Sequence, residues 1–225
     1  MDAGAVDSIA DRLRVVMERI RQAALSVGRE PDSVRLVAAT KAVSVERVRE
    51  AIAAGLRAAG ENRLQEAIPK IQALRDEPIR WHFIGHLQRR KVRDVVGRFD
   101  LIHSVDTLEL ASEIDRRAEA AAIRQDVLLE VNIAGEPTKT GFPPGQLEEQ
   151  LTYFSGMTHL RVRGLMTIPP PVDNPEQARG YFRTLRELAG GLSGQDVPGV
   201  AMTELSMGMS SDYVVAVEEG ATFVR

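Results

Sequence analysis

The sequence predicts a (β/α)8 TIM barrel with one extra helix at its N-terminus. Three observations carry this. About eight short apolar segments alternate with helical segments over most of the 225 residues. The segments are often apolar on both faces, as in Val127-Leu128-Leu129-Glu130-Val131, which is how a parallel strand covered by helices reads. Their C-terminal ends carry polar and charged residues, and a barrel gathers those ends into one mouth.

The elements follow in order. A first helix is expected over 8–27, with Leu13, Val16, Met17, Ile20 and Ala24 as its apolar stripe. Strands are expected over 34–40, 57–62, 79–85, 100–105, 126–133, 160–168, 201–208 and 221–225. Helices are expected over 44–56, 63–75, 88–96, 107–122, 144–155, 174–190 and 210–219. Pro169 to Pro175 and Gly190 to Gly199 read as loops and not as domain linkers, so residues 1–225 form one domain. A doubly wound open sheet is the alternative. It loses support because no G-x-G-x-x-G follows the first strand and no Walker A motif occurs.

Composition narrows the function. Hydrophobic residues make up 44% of the chain, enough for one sizeable core. The net charge of −3 has both signs interspersed, with no basic block of the kind that binds nucleic acid. There is no cysteine, and the histidines at 82, 86, 103 and 159 are scattered, so no metal site is expected. The start, MDAGAVDSIADRLRVVMERI, is amphipathic, acidic at first, and lacks a signal-peptide apolar core. No apolar run approaches the roughly 20 residues of a membrane span. A soluble, cytoplasmic protein is expected.

Lys41 is the sharpest single feature. It closes the first strand and faces the following loop. Only four of the 29 Lys and Arg residues are lysines (Lys41, Lys70, Lys91 and Lys139), so lysine stands where an amine is wanted. Arginine stays protonated, whereas a desolvated lysine forms Schiff bases with carbonyl compounds. On position alone, an ordinary strand-end lysine with its head in water is the preferred reading. Ser206 to Ser211 is the second feature. A small, hydroxyl-rich turn before a helix is suited to an anion, or is a plain N-cap. Ser104, Asp106 and Thr167 are expected to cap following helices. Trp81 is expected in the core, Lys139 and Glu136 as a solvated pair, and Arg89-Arg90-Lys91 on a solvated helix face.

Longer strings carry a resemblance. AATK at 38–41, GEN at 60–62, WHFIGHLQ at 81–88, HSVD at 103–106, N-x-x-x-E-x-x-K-x-G at 132–141, RGLMTI at 163–168 and ELSMGMSSDY at 204–213 resemble the pyridoxal phosphate homeostasis protein family. That family is related to the N-terminal barrel of alanine racemase, and the likeness runs from about residue 10 to the end. It implies pyridoxal 5'-phosphate (PLP) bound as a Schiff base on Lys41, and Ser206, Met207 and Ser210 around the phosphate. It implies Arg225 at the pyridine nitrogen, Asn62 and His82 lining the pocket, and Lys139 near the cofactor's phenolic oxygen. The family continues past its Val-Arg with a phosphate-holding segment like Ile-Gly-Thr. The chain as given stops at Arg225, so a last strand cut short is expected.

The implied function is a non-catalytic PLP carrier or regulator, a monomer or weak dimer, with PLP-dependent apoenzymes as possible acceptors. A racemase-like PLP enzyme is the alternative, and a cofactor-free Schiff-base aldolase a third. Against the racemase, the length leaves no room for a second domain, and Tyr153, Tyr181 and Tyr213 fall in helical segments rather than at strand tips.

Overall fold

The computed structural model describes residues 8–225; the acidic start, Met1 to Asp7, lies outside them. Nine strand segments form one all-parallel sheet: β1 Arg35–Leu36, β2 Ala38–Ala39, β3 Ala58–Glu61, β4 Arg80–Phe83, β5 Leu101–Val105, β6 Gln125–Glu130, β7 Leu160–Met166, β8 Val200–Ser206 and β9 Phe223–Val224. Their spatial order is β1-β9-β8-β7-β6-β5-β4-β3-β2. The two ends of that order, β1 and β2, are separated only by Val37, so they are halves of one bent strand. Arg35 and Leu36 pair with Phe223 and Val224. Ala38 and Ala39 pair with Ala59 and Gly60. Val37 N donates to Val224 O at 2.8 Å. The covalent chain therefore closes the sheet into the expected eight-stranded barrel, which an open doubly wound sheet cannot do.

The helices are α1 Ile9–Ser26, α2 Val45–Ala53, α3 Leu64–Ala73, α4 Val92–Val95, α5 Leu108–Ala120, α6 Pro144–Leu151, α7 Arg179–Leu192 and α8 Tyr213–Glu218. α1 is the extra helix. Ser8 caps it by accepting from Asp11 N, and it packs on α8 and α2. Ile20 and Ala24 are buried as the stripe predicts, but Met17 is exposed. The segment 88–96 is a 3-10 turn followed by a single turn of α4, and 144–155 and 174–190 each contain a 3-10 turn as well. Gly190 and Gly191, expected in a loop, belong to α7. Ala189 and Leu192 are buried on either side of them, and that packing outweighs the poor helix propensity of glycine.

Apolar side chains form two layers. The larger lies between the strands and the helices and includes Phe83, Phe154 and Phe182. The smaller fills the barrel itself: Val37, Ala58, Leu101, Leu128, Met166 and Phe223, with Ile84 against them. Side chains thus alternate between interior and helix-facing sides along each strand, as the strand period requires.

Candidate cofactor site

The mouth of the barrel is built from the strand ends. Lys41 follows β2 and is exposed. Ala42 next to it adopts φ +58, a left-handed turn that swings the chain off the strand. Ser44 then caps α2. Behind Lys41, Thr40 is buried and held by side chains of β3 and α3. Its hydroxyl donates to Glu61 Oε1 at 2.7 Å, and its carbonyl accepts from Lys70 Nζ at 2.5 Å.

Asn62 follows β3 at the same mouth. Its Oδ1 is buried with no hydrogen-bond partner among the described residues. Gly85 packs directly on it: a Cβ at 85 would lie 2.6 Å from Asn62 Cβ, so only glycine lets the two strand ends meet.

Arg225 closes the mouth from the β9 side. Its backbone N donates to Gly208 O and its Nη2 to Thr167 O, both at 3.0 Å. Its Nη1 is buried without a partner among the described residues. Burial pushes the guanidinium pKa down, while Glu130 and Asp212 oppose the shift. It remains a cation at neutral pH and can only donate.

The turn after β8 is folded on itself. Met209 N donates to Asp212 Oδ1 at 2.6 Å, and Asp212 N and Tyr213 N donate to Met209 O. Ser210 is exposed at its tip. Met207 is fully buried in the outer layer, so only its backbone can face a ligand at the mouth.

His82 is not at the mouth. It lies mid-strand, paired with Gly60, and its ring is buried in the barrel interior against Phe223. Its Nδ1 is 2.9 Å from His103 Nε2, and His103 Nδ1 is 2.8 Å from Ser206 Oγ. Ser206 is fully buried. The expected pocket residues His82 and Ser206 are therefore joined, but through His103, in a buried chain that ends at the last residue of β8. Sequence reasoning left His103 out of the site; two histidines inside apolar strand runs were the available signal.

Burial, reinforced by Arg35 and Arg80, lowers His82 to about 3. Burial, then His82, Arg225 and Arg35, puts His103 well below the ordinary value. Both are neutral when folded, whereas an unfolded histidine binds a proton near pH 6.5. Between those values the unfolded state binds more protons, so stability falls as pH falls. His82 alone should cost about 2 kcal/mol between pH 7 and pH 5. Urea unfolding at the two pH values measures this, and equal stability at both would contradict it.

Other expected roles shift. Ser104 Oγ donates to Gly85 O, and Thr167 Oγ1 donates to Val131 O, so neither caps a helix. Asp106 lies 3.3 Å from His86 Nδ1; Thr107 is the residue that caps α5. In each case the hydroxyl or carboxylate serves a neighbouring strand end instead of the next helix. Lys139 pairs with Glu136 at 2.7 Å. It lines a 310 Å³ cleft at the mouth with Ile84, His86, Glu130, Asn132 and Met166. A larger cleft of 770 Å³ opens at the opposite end of the barrel, among Arg35, Arg57 and Arg80. The site belongs to the mouth, because the unpartnered Asn62 Oδ1 and Arg225 Nη1 and the tip lysine lie at that end. Among the described residues no group of three or more His, Cys, Asp or Glu side chains could hold a metal, and no helix is long and apolar enough to cross a membrane.

The geometry is that of a closed parallel (β/α)8 barrel with a lysine just past its first strand. The family model described as alanine racemase, N-terminal domain, matches residues 7–225. The chain is 49% identical over 215 residues to the pyridoxal phosphate homeostasis protein of Aquifex aeolicus, covering 96% of this chain and 93% of that protein. It is 36% identical to the protein of that name from Escherichia coli K12, covering 98% and 94%. The structure of PipY from Synechococcus elongatus PCC7942 with PLP bound aligns at a TM-score of 0.85 and 39% identity over 97% of both chains. The chain belongs to the pyridoxal phosphate homeostasis protein family. A D-threonine aldolase from Filomicrobium marinum, at 15% identity and a TM-score of 0.74 over 98% of this chain and 59% of that one, shares the fold alone.

Proposed function

We propose that this protein holds PLP as a Schiff base on Lys41 and acts in the cytoplasm as a non-catalytic PLP carrier. The observation that carries the reading is Lys41 at the first strand tip of a barrel whose relative PipY was solved with PLP bound. The mouth suits such a group. It offers a buried unpartnered donor, Arg225 Nη1, and a buried unpartnered acceptor, Asn62 Oδ1, and a polar ligand satisfies groups that are costly to leave unpaired.

Bound PLP supplies an aldehyde for reversible imine formation and a ring that can act as an electron sink. Lys41 would hold the aldehyde carbon. Arg225, a donor-only cation, would face the ring nitrogen and disfavour its protonation, which leaves binding intact and weakens carbanion chemistry. The turn after β8, with the Met207 backbone and Ser210, would hold the phosphate, with Ser206 beneath it. Asn62 would line the pocket, and His82 would support it from inside the barrel through His103.

Two experiments test this. The loaded protein mixed with a PLP-dependent apoenzyme should restore that enzyme's activity; no restoration would remove the carrier role. Incubation of the loaded protein with L-alanine in deuterated water should leave Cα unexchanged. Exchange at enzyme-like rates, lost in Lys41→Ala, would establish the racemase-like alternative.

The phosphate assignment has its own test. Ser206→Ala combined with Ser210→Ala should weaken PLP about tenfold or more, through loss of the Ser210 hydroxyl's contact with a charged group and of the buried Ser206 hydroxyl that supports the turn from below. It should barely affect pyridoxal, which lacks the phosphate. An equal loss for both ligands would remove these serines from the phosphate site.

A further inference from the structure

We propose that Lys70, Glu61 and Glu66 are positioning residues that aim the Lys41 amine. The inference rests on the reading of Lys41 as the attachment site, and it concerns residues outside the mouth.

The Lys70–Glu61 pair is buried between β3 and α3. The two side chains are 8% and 0% exposed and lie 2.7 Å apart. Such a pair costs desolvation on both sides, and its Coulomb gain repays that only with full hydrogen bonding. This pair is not fully bonded: Glu61 Oε2 is buried with no partner among the described residues. Stability alone is a poor reason for it.

Its other contacts point to Lys41. Lys70 Nζ also donates to Thr40 O at 2.5 Å, and Glu61 Oε1 accepts from the Thr40 hydroxyl at 2.7 Å. Thr40 O belongs to the peptide group before Lys41. On the other side, Ala42 N belongs to the peptide group after Lys41, and it donates to Glu66 Oε2 at 2.8 Å. Both peptide groups flanking Lys41 are thus gripped by side chains of one β3–α3 unit. The grip also holds Ala42 at φ +58, a conformation that non-glycine residues adopt at a cost and keep only where the surroundings impose it.

A backbone fixed on both sides leaves only the side-chain torsions of Lys41 free. The amine is then pre-aimed, and forming a covalent bond loses less entropy. Lysine suits position 70 because its compact ammonium reaches two acceptors from one point. The planar, longer guanidinium of arginine does not, although this chain uses arginine for nearly all its other cations.

The test separates aiming from pocket shape with two ligands. PLP carries an aldehyde and forms the imine; pyridoxine 5'-phosphate carries an alcohol and cannot. Lys70→Met should slow appearance of the PLP imine absorbance about tenfold or more, while pyridoxine 5'-phosphate affinity stays within about twofold of wild type. Glu66→Ala, at a half-exposed position, should act in the same direction and covers the case in which Lys70→Met does not fold. Parallel losses for both ligands, or native imine rates in Glu66→Ala and in folded Lys70→Met, would overturn the proposal. Lys41→Ala keeps the outcomes distinct. If it retains the imine, the Lys41 reading fails and the aiming role with it. If it loses the imine while the other variants form it at the native rate, only the aiming role fails.

Discussion

Lys41→Ala is expected to abolish both the visible PLP absorbance and the adduct trapped by borohydride. The other three lysines are less available on the geometry found. Lys70 is buried and committed to Glu61 and Thr40. Lys91 lies in the 3-10 turn before α4, eight residues past the end of β4. Lys139 is at the mouth but paired with Glu136. Non-covalent contacts from Arg225 and the turn after β8 should survive the substitution. The variant should therefore still bind pyridoxine 5'-phosphate with near-native affinity. Loss of that ligand as well would mean that Lys41 supports the pocket's shape and not only the covalent bond.

Gly208→Ala is expected to be a strongly damaging small substitution near the site. Gly208 has φ +90, and a Cβ there would lie 2.5 Å from Ala216 Cβ and 3.0 Å from Tyr213 Cα. Two costs add: the left-handed conformation for a non-glycine residue, about 1–2 kcal/mol, and overpacking against α8, about 1–3 kcal/mol. Urea denaturation should register a loss within the summed range. The displaced turn should also weaken PLP, since Gly208 O anchors the Arg225 backbone. A variant as stable as wild type would mean that the turn relaxes freely and does not fix α8 against the strand end.

Much of this was legible in the chain. The eight strands follow from short apolar runs that are buried on both faces, and the placement of Lys41 just past the first strand follows from where that run ends. Residues whose role depends on barrel closure were not legible. Val37 splits the first strand because that strand must pair with β9 on one side and β3 on the other; nothing local marks the bend. The resemblance implies His82 in the pocket lining, but the register that sets it opposite Gly60 places its ring inside the barrel. Met207 sits in the right string, yet strand alternation sends its side chain to the outer layer. Glu61 was visible within the GEN string and Lys70 as one of four lysines, but their meeting needs α3 folded onto β3. Their sequence separation of nine residues gives no hint that both converge on Thr40.

The most direct test of the account is to load the wild-type protein with PLP, reduce it with borohydride, and map the modified peptide by mass spectrometry. The account predicts one pyridoxyl-phosphate group per chain, on Lys41. A stoichiometric modification on Lys70, Lys91 or Lys139, with Lys41 unmodified, would contradict it.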